Sequence, residues 1–327
     1  MKLRTALFVV LILALAIVGC SPRAGAGSTG ETRQVTIAMG FIPNVQFTPM
    51  YVAIEKGYFA AEGLEIELDY GMETDLLQRV GANQLQFAIA SGDQVILARA
   101  NDLPVKYVFS WYRRFPVCVV SLAERGIAQP QDLVGKTVGI PVTQGASYIG
   151  WRAFLDEVGI APDKVDLQAI GYTQMASLVE KRVDAAVCYA MNEPVQLKES
   201  GYDTHIFYLD QYIQLPSNGI ITNDATIKDS PELLQKVVRA FGKGLRDTLD
   251  DPDAAFAITR KTIAEMDEPT AKLQRAVLQE CLNFWRADKL GQSDPAAWQE
   301  SVAFLKGLGL LTTDVAPESL YSNQFIR

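Results

Sequence analysis

The sequence predicts an α/β protein made of two sheet-bearing units and a helical tail. Three observations predict it. From Gln34 onward, short β-branched apolar runs alternate with helical stretches; the alternation restarts at "KTVGI", near Lys136; and after "PSNGIITND" the chain reads as helices to its end. Strand–helix alternation implies mostly parallel sheets with helices on both faces. The length of 327 residues agrees with two units, at ~100–200 residues per domain. An apolar content of 49% is ample for two cores.

The elements follow in order. "QVTIAM" reads as a strand and Pro49 to Phe59 as a helix whose apolar part closes at Lys56-Gly57. "EIEL" is a strand, "TDLLQRVGAN" a helix, "FAIAS" a strand and "DQVILARAN" a helix; "VKYVFSWY" and "VCVVSL" are strands. Each apolar run is short and bounded by Gly, Pro or Asp. The second round gives strands at "KTVGI", "VDLQAIG", "DAAVCYA" and "THIFYL", with "TQGASYIGWRAFLDEVG" as loop and helix and further helices at "QMASLVEKRV" and "EPVQLKESG". In the tail, Ser230-Pro231-Glu232 reads as an N-cap followed by proline at the first helical position. Leu233, Val237, Phe241 and Leu245 then share one face, an ordinary core stripe, and further helices start near Pro252, Pro269 and Pro295.

The first residues read as a leader. Lys2 and Arg4 precede an unbroken apolar run from Ala6 to Val18. That run is shorter than the ~20 apolar residues a membrane span needs and suits a signal peptide. It ends in Ile17-Val18-Gly19-Cys20, which resembles the bacterial lipobox, so residues 1–19 are expected to be removed and Cys20 lipidated. The alternatives are an ordinary secretory peptide or an N-terminal anchor helix with a chance Cys. Residues 20–33 are rich in Gly, Ser, Ala and Thr, the composition of a flexible tether. The formal charge of −8 is not clustered, which argues against nucleic acid, since that binding rests on cationic patches. Cys118, Cys188 and Cys281 are odd in number and lack metal-ligand spacing; they read as buried apolar thiols, and no metal or cofactor is expected. His205 is the only histidine, which nearly excludes a histidine-based triad or zinc site.

Candidate binding residues gather at the ends of strands, where ligands of open α/β sheets collect. The two strand–tip–helix modules "FAIASGDQVILARA" and "AAVCYAMNEPVQLKE" rhyme. One delivers Ser91, Gly92 and Asp93, the other Tyr189, Asn192 and Glu193, and an Asn and Glu at a strand tip are costly to bury without a partner. After the first strand, Phe41, Asn44, Gln46 and Phe47 crowd a loop stiffened by Pro43 and Pro49. The amides supply donors and acceptors; the rings either face a ligand or fill core beneath the loop. "TQGASY" brings Gln144, Ser147 and Tyr148 to a helix start, as a polar clamp or as a simple capped turn, and Gly145 permits close backbone approach. "SWYRRFP" places Trp111, Tyr112 and Arg113 where the first unit hands over to the second, either facing a cleft or packed under the crossover. Tyr172 and Gln174 follow another strand.

"GFIPNVQFTPMYVAIEKGYFAAEGLEIEL" resembles the N-terminal signature of substrate-binding proteins related to the thiamin-pyrimidine-precursor group. The matching residues are Phe41, Pro43, Asn44, Lys56, Gly57, Tyr58, Phe59, Gly63 and Leu64. "SGDQVILARANDLPV" and "LVGKTVGI" are similar to further blocks, and the resemblance covers most of residues 34–225. It implies a type II periplasmic-binding-protein fold with the ligand cleft between two lobes: residues 34–120 and 216–327 in lobe 1, residues 121–215 in lobe 2. It also implies a lipid-anchored receptor on the extracytoplasmic face of the cell membrane, held there by its anchor alone, that hands a solute to an ABC permease. Formylaminopyrimidine binders of this family commonly carry Trp in the first aromatic slot and a His soon after the Asn. This chain has Phe41 and Phe47 near those places, and "FIPNVQF" looks closer to the riboflavin-binding branch. An isoalloxazine is larger and more apolar than a pyrimidine. Its uracil-like edge would be met by Asn44, Gln46, Asn192 and Glu193, and its faces by Phe41, Phe47, Tyr148 and Tyr189. A thiamin pyrimidine precursor or a small sulfonate is the alternative guest. Eukaryotic relatives that make the thiamin pyrimidine use an active-site His and a Cys-rich motif; "AVCYAMNEP" has only Cys188 and the first loop has no His, so no catalytic residue is expected.

Overall fold

The computed structural model describes residues 32–263 and 266–326; the expected leader, Cys20 and the tether up to residue 31 lie outside the described residues. Among the described residues, ten strands form two five-stranded sheets. They are β1 (Arg33–Met39), β2 (Leu64–Tyr70), β3 (Phe87–Ser91), β4 (Val105–Ser110), β5 (Val117–Leu122), β6 (Thr137–Ile140), β7 (Asp166–Ala169), β8 (Ala185–Tyr189), β9 (Thr204–Tyr208) and β10 (Asn218–Asn223). The first sheet runs β2-β1-β3-β10-β4 and the second β7-β6-β8-β5-β9.

The two orders are the same pattern used twice. β1 and β6 each pair in parallel with two neighbours, and one antiparallel strand occupies the fourth place of each sheet. That strand is β10 in the first sheet and β5 in the second. These are the two strands on which the chain enters a sheet after crossing from the other. The mostly parallel sheets that alternation predicts are therefore present, with the reversed strand marking each crossing. Residues 111–116 carry the first crossing, and all of β5 pairs in the second sheet. A lobe boundary after residue 120 would cut that strand, so on sheet membership the handover falls at 111–116.

Alternation along the strands divides the core in two. Val35, Ile37 and Met39 of β1 belong to one apolar cluster and Ala38 to the other; Phe87 and Ile89 of β3 oppose Ala88 and Ala90 in the same way. β5 and β8 split likewise, with Cys118 and Cys188 on one face and Val119 and Val187 on the other. Both faces of these strands are thus covered, which is why β3, β5 and β8 are apolar at nearly every position. All three cysteines among the described residues are buried and free.

Helices depart from expectation in small, explicable ways. The helix Thr48–Glu55 stops at Lys56 because Gly57 takes φ 70, and a separate turn covers Tyr58–Ala61. The helix Gln174–Val179 ends short of Val183, with Lys181 at φ 61. The predicted stripe of Leu233, Val237, Phe241 and Leu245 is buried in the helix Pro231–Asp250. Ser230 stands at its N-cap, but its side chain makes no capping bond. Its own amide closes the preceding helix on the Thr226 carbonyl at 2.9 Å, so the residue is shared between two helix ends. The Pro231–Asp250 helix lies against Thr48–Glu55, with Gly244 directly on the Pro49 carbonyl, and so braces the segment that follows the first strand.

Candidate functional site

A cavity of about 710 Å3 lies among the loops that leave the carboxyl ends of β1, β2 and β4 of one sheet and β6, β7 and β8 of the other. This is the position that open α/β sheets reserve for ligands. Its volume is within the ~300–1,000 Å3 of sites that enclose a drug-sized ligand.

The loop after β1 builds one wall. Asn44 opens the short helical turn Val45–Phe47, its side chain accepting from the Gln46 amide at 3.0 Å. That bond aims the Gln46 side chain across the cavity, where its Nε2 donates to Asn192 Oδ1 at 3.0 Å. The tip of β8 and the loop after β1 are thereby joined by one amide pair. A second bridge closes the mouth: the rings of Phe41 and Tyr172 are 5.2 Å apart, and the Tyr172 hydroxyl donates to Met72 Sδ at 3.7 Å. Tyr172, Met72 and Ile42 remain 56%, 44% and 61% exposed, an apolar lip around the opening.

Aromatic residues make the floor. Phe47 lines the cavity and also packs on Tyr70 and Trp111, so its ring serves both purposes that the sequence left open. Trp111 and Tyr112 line it too and pack against Trp285 beneath, Trp111 tilted and Tyr112 edge to face. The Tyr189 hydroxyl donates to Asn218 Oδ1 at 3.4 Å.

Three buried carboxyl groups surround the cavity. Glu73 and Glu193 line it. Burial pushes the Glu73 carboxyl up to about 7, helped by the like charge of Asp93, and burial pushes Glu193 up to about 7. Asp93, pushed up by burial to about 6, lies behind the wall. Four lining residues hold a buried polar atom with no hydrogen-bond partner in the protein: the acceptors Gln174 Oε1, Glu193 Oε2 and Gln274 Oε1, and the donor Trp111 Nε1. Orphaned buried groups cost stability unless a ligand satisfies them.

Of the sequence-predicted residues, Phe41, Asn44, Gln46, Phe47, Tyr112, Gln144, Ser147, Tyr172, Tyr189, Asn192 and Glu193 line the cavity. Ser91, Asp93 and Tyr148 do not. The Ser91 amide donates to Glu73 and Asp93 accepts from Gln94 at 3.0 Å; both sit fully buried where Gly92 is pressed on Pro216 and Trp298. The Tyr148 hydroxyl accepts from Arg152 at 3.1 Å, one helical turn on, which turns the ring from the cavity to its own helix. Cys20 lies outside the described residues. Sequence reasoning missed Glu73, Gln196, Asn218 and Gln274 as lining residues. Glu73 starts a helix and reads as a partner for the helix dipole. Gln274 comes from the tail helix Glu268–Trp285, which packs on both the Val45–Phe47 turn and the helix Glu193–Glu199. Only a polar residue on the inner face of that helix hinted at it.

Three comparisons bear on this site. The NMT1/THI5 like family model matches residues 44–255. The chain is 39% identical to the riboflavin-binding protein RibY of Chloroflexus aurantiacus, over 100% of this chain and 98% of that one. It is 30% identical to the formylaminopyrimidine-binding protein of Halalkalibacterium halodurans, over 96% and 97%. A 4-amino-5-hydroxymethyl-2-methylpyrimidine phosphate synthase of Legionella pneumophila is similar at 22% identity, over 90% and 92%. Among solved structures, the periplasmic aliphatic sulphonate binding protein SsuA of Escherichia coli superposes with TM-score 0.70 at 12% identity, covering 88% of this chain and 96% of that one. A Candida albicans protein with the generic periplasmic binding protein fold gives TM-score 0.68 at 15%, covering 90% and 98%. The architecture is that fold.

Proposed function

The chain belongs to the NMT1/THI5-like family, and from that membership we propose that it is a solute receptor that encloses riboflavin and presents it to an ABC permease. The observation that carries the reading is the cavity itself, with aromatic rings on its floor and mouth and amides on its rim, held between the tips of two sheets. A flat ring system with mixed donors and acceptors at its edge matches such a lining. The pool of Asn44, Gln46, Gln144, Asn192, Gln196 and Asn218 offers both kinds of partner. Phe41, Phe47, Tyr172 and Tyr189 would face the ring; Tyr148, placed on its own helix, is withdrawn from that role.

A binding role also suits the chemistry of the lining. His205 sits on β9 opposite Ser121 and is not among the lining residues. Cys188 is the one cysteine of the lining, and its thiol is pushed well above the ordinary range by burial and by the neighbouring Cys118. His205 therefore stands away from the cavity, and Cys188 is not poised as a nucleophile at neutral pH. A formylaminopyrimidine is the second reading, favoured by the relative at 30% identity. It would leave much of a 710 Å3 cavity unfilled. A lipid anchor at Cys20 on the extracytoplasmic side completes the proposal.

Fluorescence titration of riboflavin with the purified protein tests it. Quenching that saturates at micromolar protein is the expected result. A flat signal, with a thermal shift produced by an aminopyrimidine instead, would replace riboflavin by the second reading.

A further inference from the structure

The cavity is unusual in its charge. Among the described residues its lining contains no Lys, Arg or His, and it contains two glutamates, Glu73 and Glu193. A third carboxyl, Asp93, is fully buried beside Glu73 in the first turn of the helix Gly92–Ala100, just past the Ser91 amide that donates to Glu73. The orphaned atoms tell the same story: three acceptors against one donor. A guest that brings N–H and O–H groups satisfies such a lining. One that brings only negatively charged oxygens adds acceptors to acceptors and charge to like charge.

The opposing influence is a helix start. The helix Gly145–Glu157 begins at the cavity, and an N-terminus carries about half a positive charge. The helix Glu73–Gly81 begins there too, but Glu73 is its own first residue, so its carboxylate already occupies that end. About half a positive charge faces two glutamate carboxyl groups with no cationic side chain to offset them, and an arriving anion meets their negative charge whenever they are ionised.

We propose that this cavity selects against anions and that, among flavins, it takes riboflavin and rejects the same molecule carrying a terminal phosphate, with Glu73 and Glu193 as the residues that set this selectivity. The proposal rests on the riboflavin reading and narrows it. It also separates this site from receptors for sulfonates, which must hold a permanent anion.

The test compares riboflavin with flavin mononucleotide on the wild-type protein and on Glu73→Gln and Glu193→Gln. Glutamine keeps an acceptor for the Ser91 amide in the first variant, removes the charge and exchanges one carboxyl oxygen for an NH2 donor; thermal melts check that each variant folds. The quantity read is the ratio of the two dissociation constants, which is independent of how much each variant weakens both ligands. The expected ratio is at least ~30-fold in favour of riboflavin, falling by about 3–10-fold in each variant, where tenfold corresponds to ~1.4 kcal/mol. Equal affinity for the two flavins overturns the selectivity and leaves the riboflavin reading standing. A large ratio that neither variant moves overturns the role of the two glutamates. Binding of neither flavin overturns both the reading and the selectivity. A thermal shift with an alkanesulfonate at millimolar concentration overturns the exclusion of anions directly.

Discussion

Gln46 is the residue on which the two halves of the site meet. Its backbone amide is held by Asn44 and its side chain by Asn192, at 3.0 Å each. If the enclosed state is the one that holds ligand, this amide pair contributes to affinity as a net hydrogen bond does, ~0.5–1.5 kcal/mol. Gln46→Ala and Asn192→Ala should then each weaken riboflavin binding. The double variant should lose less than the sum, by a similar amount; strictly additive losses would remove the pair from the bound state. The carboxyls give a prediction of another kind. Glu73, Asp93 and Glu193 are each held above their ordinary range by burial, so the unfolded chain gives up these protons first as pH rises. Over that window the folded state binds more protons, and stability must fall. The loss begins near the ordinary carboxylate range of ~4, is complete just above pH 7, and is flat beyond. The ligand-free protein should therefore melt at a lower temperature at pH 8 than at pH 5. Glu73→Gln should recover roughly 1–3 kcal/mol of the difference, read from denaturant unfolding at both pH values; an unchanged difference would mean that Glu73 is solvated. At this scale the sequence was partly legible. Asn44 and Asn192 stood out because amides at strand tips need partners, whereas Glu73 was hidden by an equally good local reason for an acidic residue at a helix start.

Elements were more legible than residues, because period and punctuation are local and the cavity is not. Every strand of the first round and of the second was announced by a short apolar or alternating run, and the rhyme between "FAIAS" and "DAAVCYA" proved topological: β3 and β8 hold the third place of their sheets. β10 was not announced as a strand. "NGIITN" is brief and follows a proline, and its place in the first sheet depends on partners far away in sequence, Ser91 and Ser110. The tail helices were visible as amphipathic stripes, but what they cover was not. Gly244 shows the consequence. A methyl group there would meet the Pro49 carbonyl and Ala53 at the crossing of the helices Pro231–Asp250 and Thr48–Glu55. Gly244→Ala gains helix propensity but overpacks that crossing, and the second effect is larger, ~1–3 kcal/mol against ~1 kcal/mol. The variant should be less stable to urea by up to a net ~2 kcal/mol. Because Thr48–Glu55 directly follows the Asn44–Phe47 wall, it should also bind riboflavin more weakly. A more stable variant would show that the helices can separate without strain.

At the scale of the whole molecule, everything turns on two crossings that run side by side. Residues 111–116 lead from β4 to β5, and residues 209–217 lead from β9 to β10. They are tied together: Arg114 pairs with Asp210 in the second crossing, and the Trp111 and Tyr112 amides donate at 3.2 and 2.9 Å to the carbonyl of Asn218, the first residue of β10 that the second crossing delivers. The Arg114 guanidinium also lies 4.6 Å from the centre of the Phe284 ring, while the Arg113 amide donates to the Phe284 carbonyl at 2.7 Å. The tail helix Glu268–Trp285 thus fastens the crossings at one end and supplies Gln274 to the cavity along its length. A receptor that encloses its ligand does so by favouring a state in which both walls touch the guest, and the gain is limited by the difference in affinity between the states. Loosening the crossings should populate states in which the Gln46–Asn192 and Phe41–Tyr172 bridges are broken, and should dilute the binding-competent fraction. Arg114→Ala removes an ion pair and a ring contact outside the cavity lining, so its effect on ligand can come only through that fraction. The expected result is a riboflavin affinity lowered about 3–10-fold, the range of a ~1 kcal/mol shift in a two-state balance, with the ring contacts and hence the depth of quenching at saturation unchanged. Unaltered affinity would mean that the walls are held in place without the crossings, by the bridges across the cavity alone.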